Sequence, residues 1–175
     1  MLHGTVHPDF APLATGFRTL IPKHRGGASL AVMHRGELVV DLWGGTRDEA
    51  GRPFEGDTLA LSFSTTKGVT STLAHILASQ GKLDYDAKVA RYWPEFGAAG
   101  KDAITVRQAM SHQAGLYSIK RLVDDATQIL DWDGMLRRIE AAAPMHEPGA
   151  STGYHALTYG WLLGGVIEKV SGRPF

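Results

Sequence analysis

The run Leu61-Ser62-Phe63-Ser64-Thr65-Thr66-Lys67-Gly68 decides how this chain is read. An apolar approach leads into a serine–threonine cluster, with a lysine three residues after Ser64. A helical pattern follows. Val69, Leu73, Ile76 and Leu77 recur at i, i+4, i+7 and i+8, one apolar face of a helix that starts near Ser64. Gly81 predicts its end, because glycine tolerates a left-handed cap. Residues i and i+3 on a first turn share a face, so the Lys67 amine can approach the Ser64 hydroxyl. The helix N-terminus adds free N–H groups and a partial positive charge. A neutral amine can take the serine proton and an ammonium cannot. A lysine used in this way must fall from about 10.4 to about 7–8, which asks its surroundings for roughly 3–5 kcal/mol. Burial or a second polar partner can supply that. S-x-x-K also arises by chance, and serine or threonine before a helix is an ordinary cap.

Upstream, Ala28–His34 and Glu37–Trp43 read as two strands joined by a tight turn at Arg35-Gly36. Gly44-Gly45 reads as the end of the second strand. A lone hairpin is marginal in water and needs a larger sheet. Phe10–Leu20 fits a short amphipathic helix, and Pro22 discourages its continuation. Downstream the reading is mostly helical. Thr105 and Gln108 form a capping box for a short helix through Met110. Asp131–Ala142 and Leu157–Val170 are two further helices. Gly160, Gly164 and Gly165 lower the propensity of the last helix but allow close packing.

A second constellation is Pro148-Gly149-Ala150-Ser151-Thr152-Gly153-Tyr154-His155-Ala156. Pro-Gly marks a turn, and small residues place Tyr154 on a loop just before a helix. A phenol with a reference pKa of about 10 can relay a proton once a neighbouring cation lowers it. A packing tyrosine with a satisfied hydroxyl is the simpler alternative. His155 either lines a pocket or serves the structure. His112 precedes a turn and is expected to bond backbone. His3 and His7 lack a convincing helix or carboxylate partner, so no metal site is read there.

The chain has 175 residues, with 18 basic against 18 acidic side chains, so bulk charge draws it to neither nucleic acid nor anionic membrane. It has no cysteine, which removes disulfides and thiolate chemistry. The start has neither the basic residues nor the apolar stretch of a signal peptide, and no run is long enough to span a bilayer. The expectation is a cytoplasmic protein. No nucleotide-binding glycine motif appears.

Ser64-Thr65-Thr66-Lys67 and Tyr154-His155-Ala156 resemble the first two motifs of the class C β-lactamase-like superfamily. That superfamily includes β-lactamases, DD-peptidases and family VIII carboxylesterases. Leu83–Phe96, Ile104–Leu116 and Gly164–Phe175 are similar to the family's intervening segments, among them its SHxSGL turn at Ser111-His112-Gln113-Ala114-Gly115-Leu116. The match covers nearly everything from Gly27 onward. It implies an α+β fold of the β-lactamase/transpeptidase-like kind: one partial domain over residues 1–175, with an N-terminal segment and hairpin (1–57) and a mainly helical region (58–175). It also implies a serine hydrolase working through an acyl-enzyme, with Ser64 as nucleophile, Lys67 and Tyr154 as its proton partners, and His155 and Ala156 beside the substrate. No metal or organic cofactor is implied.

Two departures matter. The lactamase pattern is Y-x-N, and Ala156 replaces its asparagine, so the side chain cannot hydrogen-bond a substrate amide or the lysine. This favours a carboxylesterase on small esters over a β-lactamase or D-amino-acid peptidase. The family also continues into further strands with a third motif, whereas this sequence stops at Phe175. The C-terminal sheet strands are therefore expected to be missing. An inactive binding or assembly piece is the alternative, its sheet completed by a C-terminal fragment or a second copy.

Overall fold

The computed structural model describes residues 1–21 and 26–175, and these form two compact units, Met1–Leu61 and Ser62–Phe175. In the first unit, β2 (Gly27–His34) and β3 (Glu37–Gly45) make the antiparallel hairpin that the alternating pattern predicts. Arg35 and Gly36 both take positive φ, 51° and 85°, the mark of a type I′ turn whose twist suits paired strands. The sequence reading stops at two strands. A third, β1 (Leu2–Val6), pairs antiparallel with β3, so the sheet order is β1-β3-β2. Gly44 and Gly45 end β3 as the sequence predicts, and Gly44 lies where β1 passes so closely that a Cβ would stand 2.5 Å from the Met1 carbonyl oxygen. Helix α1 (Ala11–Leu20) follows a short 3₁₀ turn at Pro8–Phe10. Ala14 and Phe17 of α1 share a small core with Val39, Val40 and Leu42. The expected stop at Pro22 falls outside the described residues.

The second unit is helical, built from α2 (Thr66–Ser79), α3 (Val106–Met110), α4 (Trp132–Ala141) and α5 (Thr158–Ser171), with 3₁₀ turns between them. Its core gathers Trp93, Phe96, Ile104, Met135, Ile139, Leu162, Leu163 and Val166, all fully buried. Helix α5 packs against α2, α3 and α4. Thr105 caps α3 with the reciprocal Gln108 bond that the sequence predicts, and Asp131 caps α4. Helix α2 stops before Gly81 and α5 at Gly172, both with positive φ. No helix among the described residues is long and apolar enough to cross a membrane.

Helix α2 departs from the reading in one respect. Of the apolar face Val69, Leu73, Ile76 and Leu77, the first three are exposed; the buried stripe is Thr70, Ala74 and Leu77. Two of the three side chains that α2 buries are small, at 70 and 74, a feature that hydrophobic periodicity does not count.

The helical glycines differ in the same way. A Cβ on Gly165 would stand 2.7 Å from the Trp93 ring, whereas one on Gly160 would meet nothing within 4 Å. Gly165→Ala is expected to cost about 1–3 kcal/mol through overpacking. Gly160→Ala is expected to gain about 0.5–1 kcal/mol from helix propensity. Chemical denaturation of both variants checks the opposite signs.

Candidate active site

Ser64 lies in a single 3₁₀ turn, Phe63–Thr65, that runs straight into α2. Lys67 is the second residue of that helix. The i, i+3 spacing brings Lys67 Nζ to 3.1 Å from Ser64 Oγ, to which it donates. Tyr154 arrives from the loop before α5, and its Oη donates to the same Oγ at 2.7 Å. Ser64 is exposed, Lys67 half-buried and Tyr154 exposed, so the serine oxygen is open to solvent on one side. Phe63, just before Ser64, has φ 43°. A bulky residue rarely adopts this left-handed region, and such strain clusters where a side chain must be aimed.

Lys67 has a second partner. Its Nζ donates to the backbone carbonyl oxygen of Ala156 at 2.7 Å. The sequence reading allows Ala156 no bond to the lysine, because it counts only side chains. The main chain supplies the acceptor instead. The Nζ also lies 4.9 Å from the centre of the Tyr154 ring. The phenol is shifted below its ordinary value, chiefly by its bond to Ser64 and then by Lys67. Ser71, one turn beyond Lys67, shares a 2.7 Å hydrogen bond with the hydroxyl of buried Tyr159 on α5.

His155 is completely buried, away from the exposed serine. Its Nδ1–H donates to the Gly153 carbonyl oxygen at 2.7 Å, and its Nε2 accepts from the Leu116 N–H at 3.1 Å. These partners fix a neutral tautomer and leave neither nitrogen for a substrate. The ring thus ties the Tyr154 loop to the Ser111–Leu116 turn. Burial pushes its pKa down to about 4. His112 bonds backbone, as its place before a turn suggests: its Nδ1 accepts from the His155 N–H at 3.2 Å. Its ring packs edge-on against Tyr154 and tilted against Tyr159. Burial, with the nearby Lys67 charge, holds His112 below the usual histidine range. The Ser71–Tyr159 bond has no sequence signal beyond the i+4 spacing of Ser71 from Lys67.

The Beta-lactamase family model matches residues 17–175, and the chain belongs to that family. It is 45% identical over 174 residues to the esterase/beta-lactamase LipL of Mycobacterium tuberculosis, covering 97% of this chain and 39% of LipL. The crystal structure of a family VIII carboxylesterase superposes with a TM-score of 0.90 at 41% identity, covering 99% of this chain and 47% of that one. A penicillin-binding protein homolog from Caulobacter crescentus gives a TM-score of 0.92 at 42% identity, again over 99% and 47%. The fold is therefore β-lactamase/transpeptidase-like, and the chain spans less than half the length of these relatives.

The buried neutral His155 has a consequence for stability. Its folded pKa of about 4 lies below an unfolded value of about 6.5, so the unfolded chain binds the extra proton between them. The contribution is fully present above about 6.5 and is lost as pH falls towards 4, by roughly 3 kcal/mol in all. Urea unfolding from pH 7.5 to 4.5 is expected to show this slope. His155→Leu should be less stable at pH 7.5 yet lose less on acidification.

Proposed function

We propose that this chain carries the acylating side chains of a serine hydrolase acting on small esters. One observation carries the reading: a single exposed serine oxygen is held by both a phenol, at 2.7 Å, and a lysine nitrogen, at 3.1 Å. In the proposed reaction Ser64 Oγ attacks the ester carbonyl carbon, and its proton passes to the Lys67–Tyr154 pair. The tetrahedral intermediate collapses, the bond to the alcohol oxygen breaks, and the pair returns the proton to the departing alkoxide. Water then cleaves the acyl-enzyme with the same pair as base, and Ser64 recovers its hydrogen. Lys67 and Tyr154 act as one coupled site, so the moving proton is assigned to the pair. The Ser64 backbone N–H is assigned as one oxyanion donor. In this proposal the second donor comes from a further strand, supplied by a C-terminal portion or by another copy of the chain.

An ester fits better than an amide, because the Ala156 side chain offers a substrate amide no polar partner. Similarity to LipL, an esterase/beta-lactamase, and to a family VIII carboxylesterase supports the choice. LipL also keeps β-lactam cleavage as a second reading. Turnover of nitrocefin with none of a short-chain p-nitrophenyl ester would reverse the order.

A fluorophosphonate probe with mass spectrometry tests the nucleophile directly. The label is expected on Ser64 and absent in Ser64→Ala. Labelling of Lys67→Ala should be about 10²–10⁴-fold slower, the usual worth of a positioned acid–base group. A label on any other residue would overturn the assignment.

A further inference from the structure

Tyr154 is held on both sides by one residue. The Gly153 N–H donates to the His112 carbonyl oxygen at 3.0 Å, and the His155 N–H donates to His112 Nδ1 at 3.2 Å. The two flanking amides of the tyrosine are thus gripped by the main chain and the side chain of the same histidine. His112 can do this because its backbone lies in the left-handed region, φ 64°. Two further bonds extend the seam, from the Gly149 N–H to the Gln113 carbonyl and from the Met145 N–H to the Gly115 carbonyl.

We infer that His112 is the positioning residue for Tyr154, acting as a neutral imidazole whose Nδ1 lone pair fixes the loop that presents the phenol to Ser64. The inference rests on the hydrolase reading for its effect on rate, but the clamp itself does not. An Nδ1 that accepts from an amide carries no proton, so the proton of the neutral ring sits on Nε2. Protonation of Nδ1 would set two donors against each other and open one arm of the clamp. The titratable groups around this ring are Lys67 from α2, Tyr154 and His155 from the loop, and Tyr159 from α5. None of them is a carboxylate that would stabilise an imidazolium, and Lys67 opposes one. His112 touches no reacting atom in this arrangement; it works through the backbone on either side of Tyr154.

Two substitutions separate the clamp from mere packing. Asparagine keeps an acceptor oxygen near the Nδ1 position and is at ease with positive φ. Alanine keeps neither. His112→Ala is expected to label with fluorophosphonate about 10²-fold more slowly, as for a misplaced catalytic group, and His112→Asn within about fivefold of wild type. The wild-type labelling rate should fall on acidification through the His112 titration, and that limb should vanish in His112→Asn. Independently of any chemistry, nitrogen-15 NMR of the histidine rings should find His112 as the Nε2–H tautomer, titrating below an unstructured histidine. The Tyr154 ring signals should shift in His112→Ala more than in His112→Asn. Equal labelling by wild type and both variants, equal slowing of the two variants, a neutral His112 protonated on Nδ1, or a His112 that titrates at or above an unstructured histidine would each overturn the inference. Failure of wild type to label at Ser64 strikes at the hydrolase reading alone, and the NMR measurements then decide the clamp.

Discussion

The site exists because α2 and α5 pack against each other. Ser64 and Tyr154 are ninety residues apart in the chain, and nothing local brings them together. Closing so long a loop costs entropy that grows only logarithmically with length. The compensation comes from the apolar side of α5, where Leu162, Leu163 and Val166 are fully buried, each worth about 1.5–3 kcal/mol relative to exposure. On α2 two of the three buried residues are small, Thr70 and Ala74. The Ser71–Tyr159 bond then satisfies a buried hydroxyl one turn from the lysine and fixes the register of the pair.

Given that register, Lys67 meets the loop before α5 through main chain rather than side chain. The Ala156 carbonyl takes one of its N–H groups, and the Ser64 hydroxyl takes another. A backbone carbonyl is a blunter partner than an asparagine side chain: it holds the lysine but has no amide to extend towards a ligand. In the proposed hydrolase, alanine in place of asparagine at 156 would leave the lysine's acceptor in place while removing a side-chain amide from the substrate side, and this is the physical ground for proposing a plain ester.

Much of this was legible in the chain. The i, i+3 spacing of Ser64 and Lys67 needs only helix geometry, and the Thr105–Gln108 box and the Arg35-Gly36 turn need only local chemistry. The close packing at Gly164 and Gly165 was readable from composition; a Cβ at either would collide with an aromatic ring. What stayed hidden depends on partners remote in sequence. Strand β1 has five residues and forms only because β3 offers it an edge. The buried stripe of α2 includes two small residues, which hydrophobic periodicity does not count. His155 looked equally able to line a pocket, and only the Gly153 carbonyl and the Leu116 amide decide otherwise. At Ala156 the side chain offers no hydrogen bond, and the carbonyl that holds the lysine has no sequence signal.

The electrostatics follow from the same tight packing. His112 and His155 lie with ring centres 5.4 Å apart, and two charged rings at that separation would repel by about 3 kcal/mol at an effective dielectric near 20. Burial lowers both pKa values, and each ring spends a lone pair on a backbone amide. The scaffold behind Tyr154 is thus built from imidazoles used as neutral acceptors rather than as proton carriers. A charged scaffold would compete with Lys67 for the phenolate character of Tyr154 and would offer the serine proton alternative destinations. In the proposed reaction, a wall of two neutral histidines behind Tyr154 leaves Lys67 and Tyr154, both hydrogen-bonded to Ser64 Oγ, as the groups that exchange the serine proton.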